Sequence, residues 1–126
     1  MEKRWASKHI PKAEEKVLCI ATFLPLRRWR DVIPFLKMSV RIEAQARKSP
    51  GLISYGLKTR LPRKQFWTLS VWDARPSVRA FVESEPHATA VIKFEKWGGP
   101  DAAFIDWESS DSDPTWATAL DKLKNR

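Results

Sequence analysis

A chain of 126 residues, 43% of them hydrophobic, has room for one domain with a real core. Four Gly, two His and one Cys exclude most glycine-rich nucleotide loops, any disulfide within the chain and a zinc cluster built from the usual ligands. The formal net charge of +8 is uneven: residues 17–64 alone carry +9 and residues 101–126 carry −3, so the positive half reads either as a polyanion footprint or as a solvated helix face beside a basic turn.

The opening, MEKRWASKHIPKAEEK, has no apolar central segment and is no signal peptide. Residues 1–15 read as a mobile basic arm, with Trp5 as its one aromatic anchor. Residues 16–24, KVLCIATFL, are apolar almost throughout, as in a strand covered on both faces, and Pro25 ends them. No apolar run is long enough to span a bilayer. Cys19 sits inside this run and reads as a small buried hydrophobe; with no leader and no disulfide, a cytoplasmic location is expected. From Val32 the pattern becomes helical, with Asp31 placed to cap it, Pro34 in its first turn, and Val32, Phe35, Leu36, Ser39, Ile42, Glu43 and Ala46 on one face. Ser49-Pro50-Gly51 stops it.

Residues 52–60 and 65–72 read as strands joined by Leu61-Pro62-Arg63-Lys64, an antiparallel hairpin. Alternation places Phe66, Thr68, Ser70 and Trp72 on one side of the second strand and Trp67, Leu69 and Val71 on the other. A helix begins near Pro76 and breaks at Glu83-Ser84-Glu85-Pro86. Another runs over about 87–96 with Ala88, Val91, Ile92 and Glu95 on one side, and Gly98-Gly99-Pro100 ends it. A last strand at 102–108 precedes an acidic loop and a short helix with Trp116, Leu120 and Leu123 as its stripe, capped by Asp113.

The order β-α-β-β-α-(α)-β is an α+β, ferredoxin-like plan: a four-stranded antiparallel sheet with helices on one face, over residues 16–108, plus an acidic loop and extra C-terminal helix over 109–126. Helices cover one face only, yet the strands are apolar on both. A second copy of the chain, giving a homodimeric barrel, is the expected cover.

The strings SPGLISYGL, FWTLSVWDARPSVRAFVESEPH and FIDW resemble the antibiotic-biosynthesis-monooxygenase-like dimeric α+β barrels over roughly residues 17–108, and within them the spheroidene-monooxygenase-like proteins. The resemblance implies a small monooxygenase-like protein with an apolar pocket and, by analogy with the spheroidene-oxidising relatives, either haem or no cofactor. The haem-degrading branch carries a strand Asn, a helix Trp and an axial His. At the two helix positions this chain has Phe81 and Val91, and its only Asn is Asn125, so that branch is rejected.

His87, behind Pro86, is the one histidine of the folded body: a pocket acid or base, an axial haem ligand or a hydrogen-bond donor to a carbonyl, or else a helix-initiating histidine with no further role. Trp67, Trp72, Trp97 and Trp107, with Tyr55 and Phe81, either wall a flat apolar pocket or are core. Thr68 and Ser70 bond across strands or orient a ligand. No metal site is expected. Three functions compete: an oxidoreductase acting on an aromatic, polyene or quinone-like small molecule with His87 as the polar group; a non-catalytic ligand-binding or structural dimer; and weak polyanion binding by the basic 27–64 region. Nucleic acid is disfavoured because few aromatics interleave with the cations.

Overall fold

Strand alternation gives the sheet two working faces. In the computed structural model, which describes residues 2–6 and 16–126, five antiparallel strands lie in the order β1-β3-β4-β2-β5: β1 Glu2–Ala6, β2 Val17–Pro25, β3 Leu52–Arg60, β4 Gln65–Trp72 and β5 Ala103–Ser109. β2 lies between β4 and β5, and its register with β4 sets Leu18 opposite Trp72, Ile20 opposite Ser70 and Thr22 opposite Thr68. Its other edge pairs with β5, Thr22 opposite Phe104. One face carries Leu18, Ile20, Tyr55 and Trp72; the other carries Cys19, Ala21, Leu69 and Val71. This is the alternation read from the sequence.

The sheet has five strands, not four. The segment expected to be a loose arm supplies the fifth: Glu2–Ala6 pairs with β3 from Glu2 opposite Lys58 to Ala6 opposite Ser54. Its short stretch EKRWA shows no apolar alternation, so the pairing depends on distant partners. Trp5 packs against the core cluster of Tyr55 and Trp72, with the Arg47 guanidinium 5.4 Å from its ring centroid. Lys58 pairs with Glu2 at 2.7 Å and Lys3 with Glu43 at 3.0 Å. Residues 7–15 of the expected arm lie outside the described residues.

Three helices cover the first face: α1 Val32–Lys48, α2 Arg75–Glu83 and α3 His87–Trp97. α1 buries Val32, Phe35 and Ala46 as its periodicity requires. α3 is rotated from the expected side. Ile92 is 65% exposed, and Ala90, Phe94 and Trp97 turn inward instead. The aromatic rings decide this, because Phe94 and Trp97 meet Phe35 at 6.2 and 6.5 Å between centroids.

The second face was expected to need another copy of the chain. Its centre is covered by the chain itself. α4, Trp116–Lys124, lays Trp116, Ala119 and Leu123 over Ala21 and Leu69. Cys19 is fully buried there, and its thiol is pushed up to about 11, chiefly by desolvation, which leaves it inert as a nucleophile. The cap of α4 is Thr115 rather than Asp113; its Oγ1 accepts the Thr118 N–H at 3.2 Å. Asp113 instead meets Arg4 at 3.3 Å.

Gly56 makes this packing possible. A Cβ there would lie 2.8 Å from Arg4 Cγ, 3.0 Å from the Lys3 carbonyl and 3.2 Å from Trp116 Cζ2. Two neighbouring layers close on one backbone position, a recurrent reason for glycine inside a strand. Gly56→Val is therefore expected to destabilise the chain by about 1–3 kcal/mol through overpacking, read as a lower urea midpoint at unchanged slope. A midpoint equal to that of the parent chain would show that α4 does not pack here.

Candidate functional site

Two aromatic supports hold the helices off the first face. At one end Phe35 meets Phe66 at 4.5 Å between centroids, and at the other Phe81 meets Trp72 at 5.0 Å. Between them the sheet presents small side chains: Thr22 and Thr68, directly opposite each other, and Ser70 beside Ile20. Large rings at the ends and short side chains in the middle leave a gap. It is a cavity of ≈ 540 Å³, within the range that takes a small organic ligand.

Its floor is β2, β3 and β4; its walls are Met38 and Ile42 of α1, Phe81 of α2, and His87, Ala90 and Phe94 of α3. Among the described residues no charged side chain lines it. The polar groups are the hydroxyls of Thr22 and Thr68, which hydrogen-bond to each other, those of Ser39 and Ser70, the Tyr55 phenol and His87. Burial holds the Tyr55 phenol well above its ordinary value, with the Glu43 charge adding in the same direction, so the phenol stays protonated. An ionised ligand would lose hydration here without meeting a counter-charge. The cavity opens beside the edge strand β5, where the rim residues Phe104, Val91 and Val82 are exposed.

His87 is placed by a glutamine clamp. Its backbone N–H donates to Gln45 Oε1 at 3.0 Å, and Gln45 Nε2 donates to the Phe81 carbonyl at 2.8 Å. One α1 side chain thus ties the end of α2 to the start of α3. The imidazole lies edge-on to Phe81 at 4.8 Å. Its Nδ1 is closed off from solvent and has no hydrogen-bond partner among the described residues. Desolvation pushes its pKa below the ordinary value; the backbone groups of Val82 and His87 oppose this without reversing it. At neutral pH the ring is therefore uncharged and fit to accept a proton.

This has a sign for stability. A histidine whose folded pKa is depressed binds fewer protons folded than unfolded. Its contribution is complete above the unfolded value of about 6.5 and is lost as pH falls through the folded value. The parent chain is expected to lose urea resistance between pH 7 and pH 5, and His87→Gln to lose less over the same interval. Parallel curves for the two would show that the imidazole does not titrate in this environment.

Of the residues expected to form a pocket, Tyr55, Trp72, Phe81, Trp97 and His87 all line this cavity. Trp67 does not. It lies on the second face, stacked on Phe23 at 5.2 Å, because its parity on β4 is opposite to that of Trp72. Trp107 lies on that face too, with Lys122 over its ring at 5.7 Å. Thr68 and Ser70 both line the cavity, and Thr68 also hydrogen-bonds across strands to Thr22. Thr22, Phe35, Phe94 and the positioning Gln45 carried no distinguishing signal in the sequence. Among the described residues no group of three or more His, Cys, Asp or Glu could hold a metal ion, and no helix is long and apolar enough to cross a membrane.

No family model and no curated protein matches the chain. Solved structures do. A putative antibiotic biosynthesis monooxygenase from Nitrosomonas europaea superposes with a TM-score of 0.65 at 11% identity, over 74% of this chain and 89% of that one. A variant of SnoaB, a cofactor-independent oxygenase from Streptomyces nogalater, gives 0.60 at 13% identity, over 80% and 99%. A conserved protein from Methanosarcina mazei gives 0.63 at 14% identity, over 75% and 93%. At these identities the likeness is one of fold: the chain has the ferredoxin-like α+β architecture of the antibiotic-biosynthesis-monooxygenase-like proteins, with a fifth strand at its sheet edge.

Proposed function

We propose that the chain binds a neutral, flat or extended apolar molecule, of the aromatic, polyene or quinone-like kind, in the cavity between the sheet and α1–α3, and acts on it as a small monooxygenase-like oxidoreductase. The observation that carries this is a ≈ 540 Å³ cavity, lined by no charged side chain among the described residues, with a neutral imidazole in its wall. Aromatic walls suit a conjugated ligand, and the Thr22–Thr68–Ser70 floor offers hydroxyls that fix its orientation. His87 is the group that would take a proton from an acidic O–H or C–H of the bound molecule and leave it electron-rich toward oxygen. Haem would bring two carboxylates into a chamber whose lining has no cation among the described residues to meet them, so these residues do not fit it.

The test is a titration followed by tryptophan fluorescence, since Trp72 and Trp97 line the cavity. A naphthoquinone should quench, and a naphthoate of similar shape should bind about 100-fold more weakly for want of a counter-charge. Equal affinities, or none for either, would defeat the reading. Oxygen uptake with a hydroquinone, lost in His87→Ala, distinguishes the enzyme from a ligand-binding protein without chemistry. Self-association belongs to the same reading. α4 covers the centre of the second face, so a homodimer would meet on the strip it leaves half-covered, Phe23, Trp67 and Ile105. Sedimentation at micromolar concentration reads that directly.

A further inference from the structure

One end of the molecule gathers cations that the cavity does not use. The turn after β2 and the turn between β3 and β4 lie side by side, because the Leu26 N–H donates to the Lys64 carbonyl at 2.9 Å. Lys64 Nζ sits 5.0 Å from the centroid of the Trp29 ring. Arg27 Nε is spent on the Gly98 carbonyl at 2.6 Å, and Arg28 meets Asp31 at 3.4 Å. Arg30, Arg60 and Arg63 are exposed and pair with no carboxylate among the described residues. The exposed Asp101 follows the turn held at this end by the Gly99 N–H, which donates to the Pro25 carbonyl at 2.8 Å.

Large apolar side chains stand among these cations. Trp29 is 56% exposed, Ile33 60% and Leu61 47%. A lone exposed aliphatic means little, but an indole and two aliphatics interleaved along two adjoining turns with exposed guanidinium groups have a specific physical match. Arg binds phosphate oxygens in bidentate fashion, Trp favours the headgroup level of a bilayer, and short aliphatics enter the boundary below it. Duplex nucleic acid would use the cations and leave Ile33 and Leu61 in water. A single strand would find one ring to stack on rather than a row of them.

We propose that this end, built from residues 26–33 and 60–64, docks the protein on an anionic lipid bilayer. The surface adjoins the cavity wall, since the Arg27 N–H donates to the carbonyl of Trp97 at 3.0 Å and the Trp97 ring lines the cavity. Poorly soluble neutral molecules of the kind the cavity suits collect in bilayers, so docking would bring the protein to its ligand. That last step rests on the function proposed above; the docking itself stands on the surface alone.

The experiment is co-sedimentation of the full chain, without ligand, with vesicles of phosphatidylcholine alone or with added phosphatidylglycerol, at low and at physiological salt. Binding should require phosphatidylglycerol and weaken with salt. Each cation near an anionic surface changes partitioning about fivefold, so Arg60→Gln with Arg63→Gln should lower it about 25-fold. Trp29→Ser should reduce the binding that remains at the higher salt, where charge is screened. No binding to either vesicle, equal binding to both, or an unchanged double variant overturns the proposal, as does an RNA oligomer that binds tighter than the anionic vesicles. The naphthoquinone titration, run on the same double variant without vesicles, should be unchanged. A parent chain that titrates the naphthoquinone but does not sediment with anionic vesicles removes the docking surface only, and a parent chain that sediments but does not titrate removes the cavity reading only.

Discussion

Trp116→Ala is expected to lower the stability of the chain by about 3–5 kcal/mol, the range for removing a buried ring from a core. Trp116 is 9% exposed and sits where α4 meets Ala21, Leu69 and the glycine at position 56. Losing it leaves a void and loosens the helix over the most apolar part of the sheet. Two readouts follow. The urea midpoint falls, and sedimentation shows larger species as the second face becomes available to other copies. Trp116→Phe is the control. The indole N–H is buried without a partner among the described residues, so removing it costs none of the hydrogen bonds described. A Trp116→Ala chain that unfolds like its parent, or stays the same size while losing stability, would mean that α4 is not what shields this face.

Ser70→Phe is expected to abolish ligand binding while leaving the fold in place. Ser70 stands in the middle of the cavity floor, opposite Ile20 on β2 and Tyr55 on β3. A benzyl group there grows into existing empty space, so the overpacking penalty stays near or below the usual 1–3 kcal/mol, roughly. Affinity for the naphthoquinone should fall more than about 100-fold, or about 2.7 kcal/mol. Retained affinity together with a normal urea midpoint would place the ligand elsewhere on the molecule.

Much of the first face was legible because strand parity and helix periodicity are local properties. Phe66, Thr68, Ser70 and Trp72 had to share a side once 65–72 was a strand, and that side is the cavity floor and its supports. The same parity already separated Trp67 from Trp72. Grouping them in one pocket failed for a reason visible in the chain itself. What stayed hidden is tertiary. EKRWA becomes a strand only because β3 offers it an edge and Arg47 and Glu43 offer its side chains partners. Gln45 reads as one more polar helix residue until α2 and α3 are seen to end on either side of it. The need to cover the second face followed from composition. Its solution did not, because composition does not tell a helix after β5 from a second subunit as the cover, and the coordinates place α4 over the centre of the face.

Arg4 ties the first strand to the last connection. Its guanidinium donates to the Pro114 carbonyl at 2.7 Å and to Ser54 Oγ at 3.1 Å. An element made early in translation therefore waits for one made late before its contacts are complete. During synthesis the nascent sheet emerges with a greasy side bare and its N-terminal edge strand only partly latched, a period in which a chaperone would have something to hold.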